Sequence, residues 1–360
     1  MRTSEFSEAA SRSGGKQLSG GKRLLIAALI LLLLFACATR LLSFLLVPPQ
    51  YTRVKVHVLE NDPPEDLILG TSHGIAAIDP DRLAASTGRT TYNAAAGGEY
   101  PIDIYYLAKD TVSSGAPRRL IVEYDPTYWL YTGGMNNTEL YLIRVMRPSL
   151  TKAEYFLSSC LASDFRNALE PWYLNLSGLR SIPENVRRKQ SDAYRNYSMA
   201  LFEDPLQTVM ENGFIAIDDS AQNGRDSETH VLISEDGAAS KAYETSRRWF
   251  LRTVDLCRKN GIGLVVVETP IPSSTLAGDR AFFEDMNARM RKMAEENEFV
   301  FLDYVTGQNA VPDGTDIVCG TDGDGAPRDD GGFSDAEGHM RVSAARRFSD
   351  VFGKALSRLP

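Results

Sequence analysis

Cysteine is scarce: four in 360 residues, too few for a disulfide framework to hold a chain of this size together. Positive charge is also in short supply. Lys and Arg number 39 against 47 Asp and Glu, a net −8. What basic character there is sits at the start. The first 23 residues carry Arg2, Arg12, Lys16, Lys22 and Arg23 against Glu5 and Glu8, and Arg40 adds one more, which leaves −12 for the remainder. A body that acidic lacks the basic footprint that phosphate binding needs, which excludes nucleic acid as a partner. It also has no charge that would hold it flat on an anionic membrane surface. Proline and glycine, at 17 and 28, are too few for a collagen-like or low-complexity chain. Histidine occurs four times, as His57, His73, His230 and His339, so any imidazole chemistry must use one of these. No internal repeat is visible.

Long apolar runs are absent with one exception. Leu24 to Val47 holds a single charge, Arg40. As a helix it reaches roughly 36 Å, enough to cross a hydrocarbon core of about 30 Å. The basic flank precedes it and the acidic run Glu60, Asp62, Glu65 and Asp66 follows. The positive-inside rule then places residues 1–23 as a cytoplasmic tail and everything after 47 outside. The rival is a signal peptide cleaved at Ala36-Cys37-Ala38. The apolar run continues well past that point, which favours an uncleaved anchor. Both readings put the main domain outside the cytoplasm.

Residues 48–65, with two Pro-Pro pairs, read as a tether, and 66–358 as one domain. Short apolar runs at Asp66–Leu69, Thr90–Tyr92, Arg119–Tyr124, Gly263–Glu268 and Phe299–Leu302 have the length and closure of buried parallel strands. Helical spacing lies between them, at Asp79–Ser86, Pro101–Ser113, Lys241–Lys259, Asp279–Glu296 and Ser343–Leu356. This alternation predicts a doubly wound, flavodoxin-like α/β sheet of about five parallel strands. Roughly 135–235 breaks the pattern and reads as a helical, aromatic-rich insertion or cap. In such sheets ligands bind at the carboxyl ends of strands.

Gly70-Thr71-Ser72-His73-Gly74 directly follows the first strand. It has the G-x-S-x-G form of an α/β-hydrolase nucleophile elbow, but in that fold the elbow follows several strands. A serine straight after the first strand, with Ile78-Asp79-Pro80 beyond it, resembles the first block of the SGNH/GDSL hydrolase superfamily, Thr71 standing where its Asp is usual. Tyr92-Asn93-Ala94-Ala95-Ala96-Gly97-Gly98 resembles the second block, which implies oxyanion donors at Gly98 and the Asn93 side chain. Phe333-Ser334-Asp335-Ala336-Glu337-Gly338-His339-Met340 resembles the last block with one residue too many between acid and base. The resemblance implies Ser72 as nucleophile and His339 as base, with Asp335 as the expected acid and Glu337 as its alternative. The G-x-N-D block is not recognisable. Asp125 falls where its Asn would be, and is equally well placed for an Asx-Pro turn.

The chemistry suits those residue types. A serine hydroxyl is a weak nucleophile until a base takes its proton. Histidine does that near neutral pH, and a carboxylate on its other nitrogen fixes the tautomer. Ser72 has a structural alternative as a helix N-cap, and His73 one as a lining residue. No cofactor or metal is expected. The run Asp313, Asp316, Asp322, Asp324, Asp329, Asp330 departs from calcium-loop spacing because Ala326 falls at a ligand position. It reads as a solvated loop. Cys160, Cys257 and Cys319 leave room for one disulfide of unspecified pairing, and Asn136, Asn175 and Asn196 lie in N-x-[ST] sequons. By resemblance, membrane-anchored outside-facing SGNH proteins O-acylate or de-acylate envelope polysaccharides, often beside a membrane-bound O-acyltransferase. The non-enzyme alternative is a degenerate SGNH domain that binds glycan or scaffolds a synthesis complex.

Overall fold

A computed structural model describes residues 20–131, 138–159, 172–222, 238–312, 317 and 325–359. The long apolar helix α1 (Gly20–Leu46) is followed by α2 (Thr52–Asn61). Strand and helix then alternate as β1 (Asp66–Leu69), α3 (Ser72–Ala77), α4 (Pro80–Thr87), β2 (Thr91–Asn93), α5 (Pro101–Ser114) and β3 (Arg119–Glu123). Between β3 and the next strand of the sheet come α6 (Thr138–Val145), α7 (Leu150–Ser158), α8 (Ile182–Gln190), α9 (Asp192–Arg195) and a hairpin of β4 (Gln207–Val209) and β5 (Ile215–Ile217). The alternation resumes with α10 (Ala238–Asn260), β6 (Gly263–Glu268), α11 (Ser273–Asn297), β7 (Val300–Asp303) and α12 (Val342–Leu356).

The five core strands form one parallel sheet in the order β2-β1-β3-β6-β7. Successive side chains point to opposite faces. Leu67, Leu69, Leu120, Val122, Val266 and Phe301 enter one core with α2, α5, α10 and α11. Ile68, Ile121, Val265, Val267 and Leu302 enter a second core with Leu83 of α4 and Phe348 and Phe352 of α12. Coverage on both faces is why these strands are continuously apolar rather than alternating. Each fully buried Leu or Phe contributes about 1.5–3 kcal/mol. Parallel pairing also brings the carboxyl ends of β1, β2, β3 and β6 to one edge.

Two sequence expectations need correction. The stretch 48–65 is not a free tether, because α2 occupies most of it. Val56 and Leu59, three positions apart on one helix face, sit in the main core, and Val54 and Lys55 are buried as well. The insertion is not wholly helical either. Its β4–β5 hairpin pairs in antiparallel register, and its turn accepts from the sheet edge, Asn93 N donating to Asn212 O at 3.0 Å. The kink at Asp279 (φ −124°, ψ 28°) divides α11, which is why helical spacing reads only from that residue. Among the described residues α1 alone is long and apolar enough to cross a membrane, with mean hydropathy 2.6.

Candidate active site

Gly70 and Thr71 bridge β1 to α3. Thr71 caps that helix, its hydroxyl accepting from His73 N at 3.2 Å. The structural alternative for Ser72 is therefore taken by its neighbour, and Ser72, the first helical residue, keeps its hydroxyl for other work. Its N–H belongs to the first turn, where no intrahelical carbonyl is available. The bridge is clamped from below by Glu123, at the end of β3. One Glu123 oxygen accepts from Thr71 N at 2.7 Å and Thr71 Oγ1 at 2.9 Å. The flanking glycines permit this approach. A Cβ on Gly70, at φ +147°, would lie 2.6 Å from Glu123 Cβ, and one on Gly74 2.9 Å from it. The G-x-S-x-G pattern thus makes room for a buried carboxylate.

His339 arrives from a loop before α12. Ser334 N donates to His339 O at 2.8 Å and closes that loop. Asp335 Oδ1 accepts from Gly338 N at 3.0 Å and His339 N at 3.1 Å. Gly338 adopts φ +119°, and this tight turn absorbs the extra residue between acid and base. The imidazole then spans two partners. Its Nδ1 lies 2.8 Å from Asp335 Oδ2, and its Nε2 lies 2.8 Å from Ser72 Oγ, 267 positions away in sequence. Glu337 is farther off, 3.9 Å from the same Nδ1, and more exposed than Asp335. Burial works against the Asp335 charge, yet the bonds from the His339 ring and backbone hold its carboxyl well below the usual carboxylate range.

A second imidazole–carboxylate pair stands beside the first. His73 Nδ1 lies 3.2 Å from Asp125 Oδ2, and the His73 and His339 rings meet edge to face at 4.8 Å. Burial opposes a charge on His73, but Asp125, with Glu123 and Asp335 beyond it, outweighs this and pushes its pKa up to about 9. Asp125 is correspondingly lowered by His73 against its own burial, and Glu123 is raised by burial and by the charge of Asp125. Asp125 also performs the Asx-Pro turn, Oδ1 accepting from Thr127 N at 2.9 Å and Thr127 Oγ1 at 2.6 Å. The turn expected at Asp125 is thus formed by Oδ1, while Oδ2 faces His73.

Of the expected oxyanion residues, Asn93 is otherwise engaged. Asn93 is fully buried, and its Nδ2 donates to Gly74 O and Ile78 O, both at 2.9 Å, while its Oδ1 accepts from Ala95 N. Its amide is consumed in fastening α3 to the β2 end, so it offers no donor to substrate. Gly97 stands against Ser72: a Cβ on Gly97 would lie 3.9 Å from Ser72 Cβ. Gly98 is buried at φ +79° and turns the chain. Gly97 N donates to Tyr51 Oη at 3.2 Å, so the segment joining α1 to α2 reaches the site. Lys55 of α2 supports the same turn, donating to Ala95 O at 2.6 Å. Burial, opposed by Glu99, lowers its pKa to about 7. Tyr51 and Lys55 lie in what reads as a tether, so no sequence signal singles them out.

Asp335, Glu337 and His339 present ligand-type atoms within 4.8 Å of one another. Both nitrogens of His339 are already hydrogen-bonded, so the arrangement reads as a triad rather than a ligand set. Cys257 is a buried free thiol. Cys160, Cys319, Asn136, His230 and Asp313, Asp316, Asp322 and Asp324 lie outside the described residues. Neither a protein-family model nor a curated protein sequence matches this chain.

Proposed function

We propose that this chain is an extracytoplasmic serine esterase or O-acyltransferase of SGNH type, acting on a cell-envelope or exopolysaccharide glycan. The observation that carries the reading is the Ser72–His339–Asp335 chain of two 2.8 Å contacts. In the first half-reaction Ser72 Oγ attacks the acyl carbonyl and its proton passes to His339 Nε2. The tetrahedral oxyanion is met by the N–H group of Ser72 and, as the motif resemblance implies, by that of Gly98, since the Gly97 N–H is held by Tyr51 Oη. Collapse expels the donor's alcohol, which takes the proton from Nε2, and leaves acyl-Ser72. In the second half a sugar hydroxyl or water gives its proton to Nε2 and attacks the acyl carbon, which releases Ser72. Asp335 keeps Nδ1 protonated throughout and stabilises the imidazolium.

Three further features support the reading. The parallel order β2-β1-β3-β6-β7 supports a flavodoxin-like reading, in which Ser72 and His339 would stand at the strand carboxyl ends where such sheets bind ligands. The α1 helix, with its basic flank first, suits a single-pass anchor with the N-terminus in the cytoplasm. The glycan and a membrane-bound O-acyltransferase partner come from the SGNH resemblance of the motifs.

Labelling with a fluorophosphonate probe and the O-acyl content of surface polysaccharide test the reading together. Wild type should label, whereas Ser72→Ala should neither label nor support acylation. Its stability should stay within about 1 kcal/mol, since a single hydroxyl is removed. Wild-type acyl content in cells carrying only Ser72→Ala would reject the enzyme and favour a glycan-binding scaffold.

A further inference from the structure

The last turn of a helix leaves four carbonyls without intrahelical donors, and in a bilayer such groups must find partners in protein or at the interface. In α1 these are Ser43, Phe44, Leu45 and Leu46; Ser43 O also accepts from Val47 N at 3.1 Å, and α8 of the insertion reaches all four. Asn185 Nδ2 donates to Leu45 O and Leu46 O, both at 3.1 Å. Lys189 Nζ donates to Ser43 O at 3.1 Å and Phe44 O at 2.6 Å, and stands 5.2 Å from the Phe44 ring centroid. A cation at a helix C-terminus also complements the helix dipole. The insertion is therefore seated on the end of the apolar helix.

The 3-10 helix Tyr173–Ser181, next to α8 in sequence, packs against both α1 and α8. Side chains three apart eclipse in a 3-10 helix. Tyr173, Leu176 and Leu179 have that spacing and form one stripe, carried through a slight break at Gly178. All three point outward, with Leu179 62% and Leu176 46% exposed. Trp172 meets Tyr173 edge to face at the head of the stripe, the aromatic pairing common where protein meets headgroups. Arg180, exposed beside Leu179, has the length to reach the water phase from there.

We infer that the Tyr173–Leu176–Leu179 stripe lies in the headgroup and acyl boundary of the bilayer that α1 crosses, so that the insertion docks the domain on lipid. The occupant is phospholipid because the stripe continues the surface of a helix whose own outward face is apolar. The contact is apolar rather than electrostatic, in keeping with a domain of net negative charge. Docking gives the insertion a role separate from covering the catalytic serine. It rests on α1 spanning the membrane and is independent of the acyl-transfer chemistry.

The test places an environment-sensitive fluorophore on single cysteines in the full chain, its native cysteines replaced by alanine, in phosphatidylcholine nanodiscs. Leu31→Cys in α1 marks lipid. Lys292→Cys on α11, exposed behind the far edge strand β7, marks water. Leu179→Cys is the query, and cooperative unfolding of each variant checks the fold. The Leu179 probe should lose most of its emission when the lipid chains are brominated near the headgroup, and iodide should barely quench it. The Lys292 probe should behave oppositely. If Leu179 follows Lys292 while Leu31 is quenched by lipid, the docking proposal falls and the anchor stands. If Leu31 itself follows iodide, the anchor fails and the proposal with it. Neither result bears on whether Ser72 reacts with a fluorophosphonate.

Discussion

Replacing Asp335 by Asn keeps shape and volume while removing one acceptor. The carboxylate accepts three hydrogen bonds, two backbone N–H groups at Oδ1 and the imidazole at Oδ2. An amide can satisfy only one of those two sites. If its oxygen stays with Gly338 N and His339 N, which fix the turn, its NH2 faces His339 Nδ1. The ring must then accept there and carry its proton on Nε2, where it can no longer take one from Ser72. The same change in a Ser-His-Asp triad lowers kcat by about 10⁴, equivalent to about 5 kcal/mol of transition-state stabilisation. Folding should lose less, about 1.5–3 kcal/mol for one charge-assisted bond. Glu337→Gln, at 3.9 Å from Nδ1, should change turnover by about twofold or less. Hydrolysis of a small acetyl ester, the rate of fluorophosphonate labelling and a denaturant midpoint together check both variants. The assignment fails if Asp335→Asn retains most of its turnover, or if Glu337→Gln alone loses it.

The His73–Asp125 pair makes stability depend on alkaline pH. Its pKa rises from 6.5 to about 9 in the folded chain, so its contribution is fully present below pH 6.5 and disappears as pH climbs through about 9. At about 1.4 kcal/mol per pKa unit the loss is at most about 3 kcal/mol. Melting curves from pH 6 to 9.5 should therefore fall more steeply for wild type than for His73→Gln, and parallel curves would refute the pair. Tyr51→Phe keeps the edge contact with Phe202 and removes the oxygen that holds Gly97. About 1 kcal/mol, or roughly a fivefold loss in kcat with KM little changed, is expected. Unaltered kinetics would mean that Tyr51 Oη does not position the turn.

The strands were legible because burial on both faces leaves a plain mark: runs such as Leu264–Val267 contain no polar residue. The Ser72 and His339 blocks were legible because each sits where a strand or loop turns into a helix, and turning there requires glycine and small residues. What escaped notice lacked such a local mark. Helix α2 hides between proline pairs, and its burial depends on partners in α5 and α6 that no local pattern reveals. Strands β4 and β5 have three residues each, too short for a period to emerge. Asn93 was placed correctly beside the site, but its role was not, because an amide reaching backbone carbonyls looks in sequence like one reaching a ligand. The pairing of His73 with Asp125 was not visible, since the second oxygen of Asp125 acts across the sheet.

That second pair matters for how the first one works. The proposed base step would put a proton on His339 with the His73 imidazolium already beside it. At a ring separation of 4.8 Å, two unit charges repel by about 3–4 kcal/mol at an effective dielectric of about 20. Left alone, that repulsion would oppose the proton transfer from Ser72 that the proposed mechanism requires. It is not left alone, because Asp125 lies 3.2 Å from His73 and Asp335 2.8 Å from His339. Each imidazolium is thus paired before it meets the other. The four groups together become neutral only when His339 is protonated, which is the charge state reached as the oxyanion forms. The proton that neutralises these four groups comes from Ser72, so the negative charge they lose is carried by the oxyanion and the net charge of the site is conserved through the step.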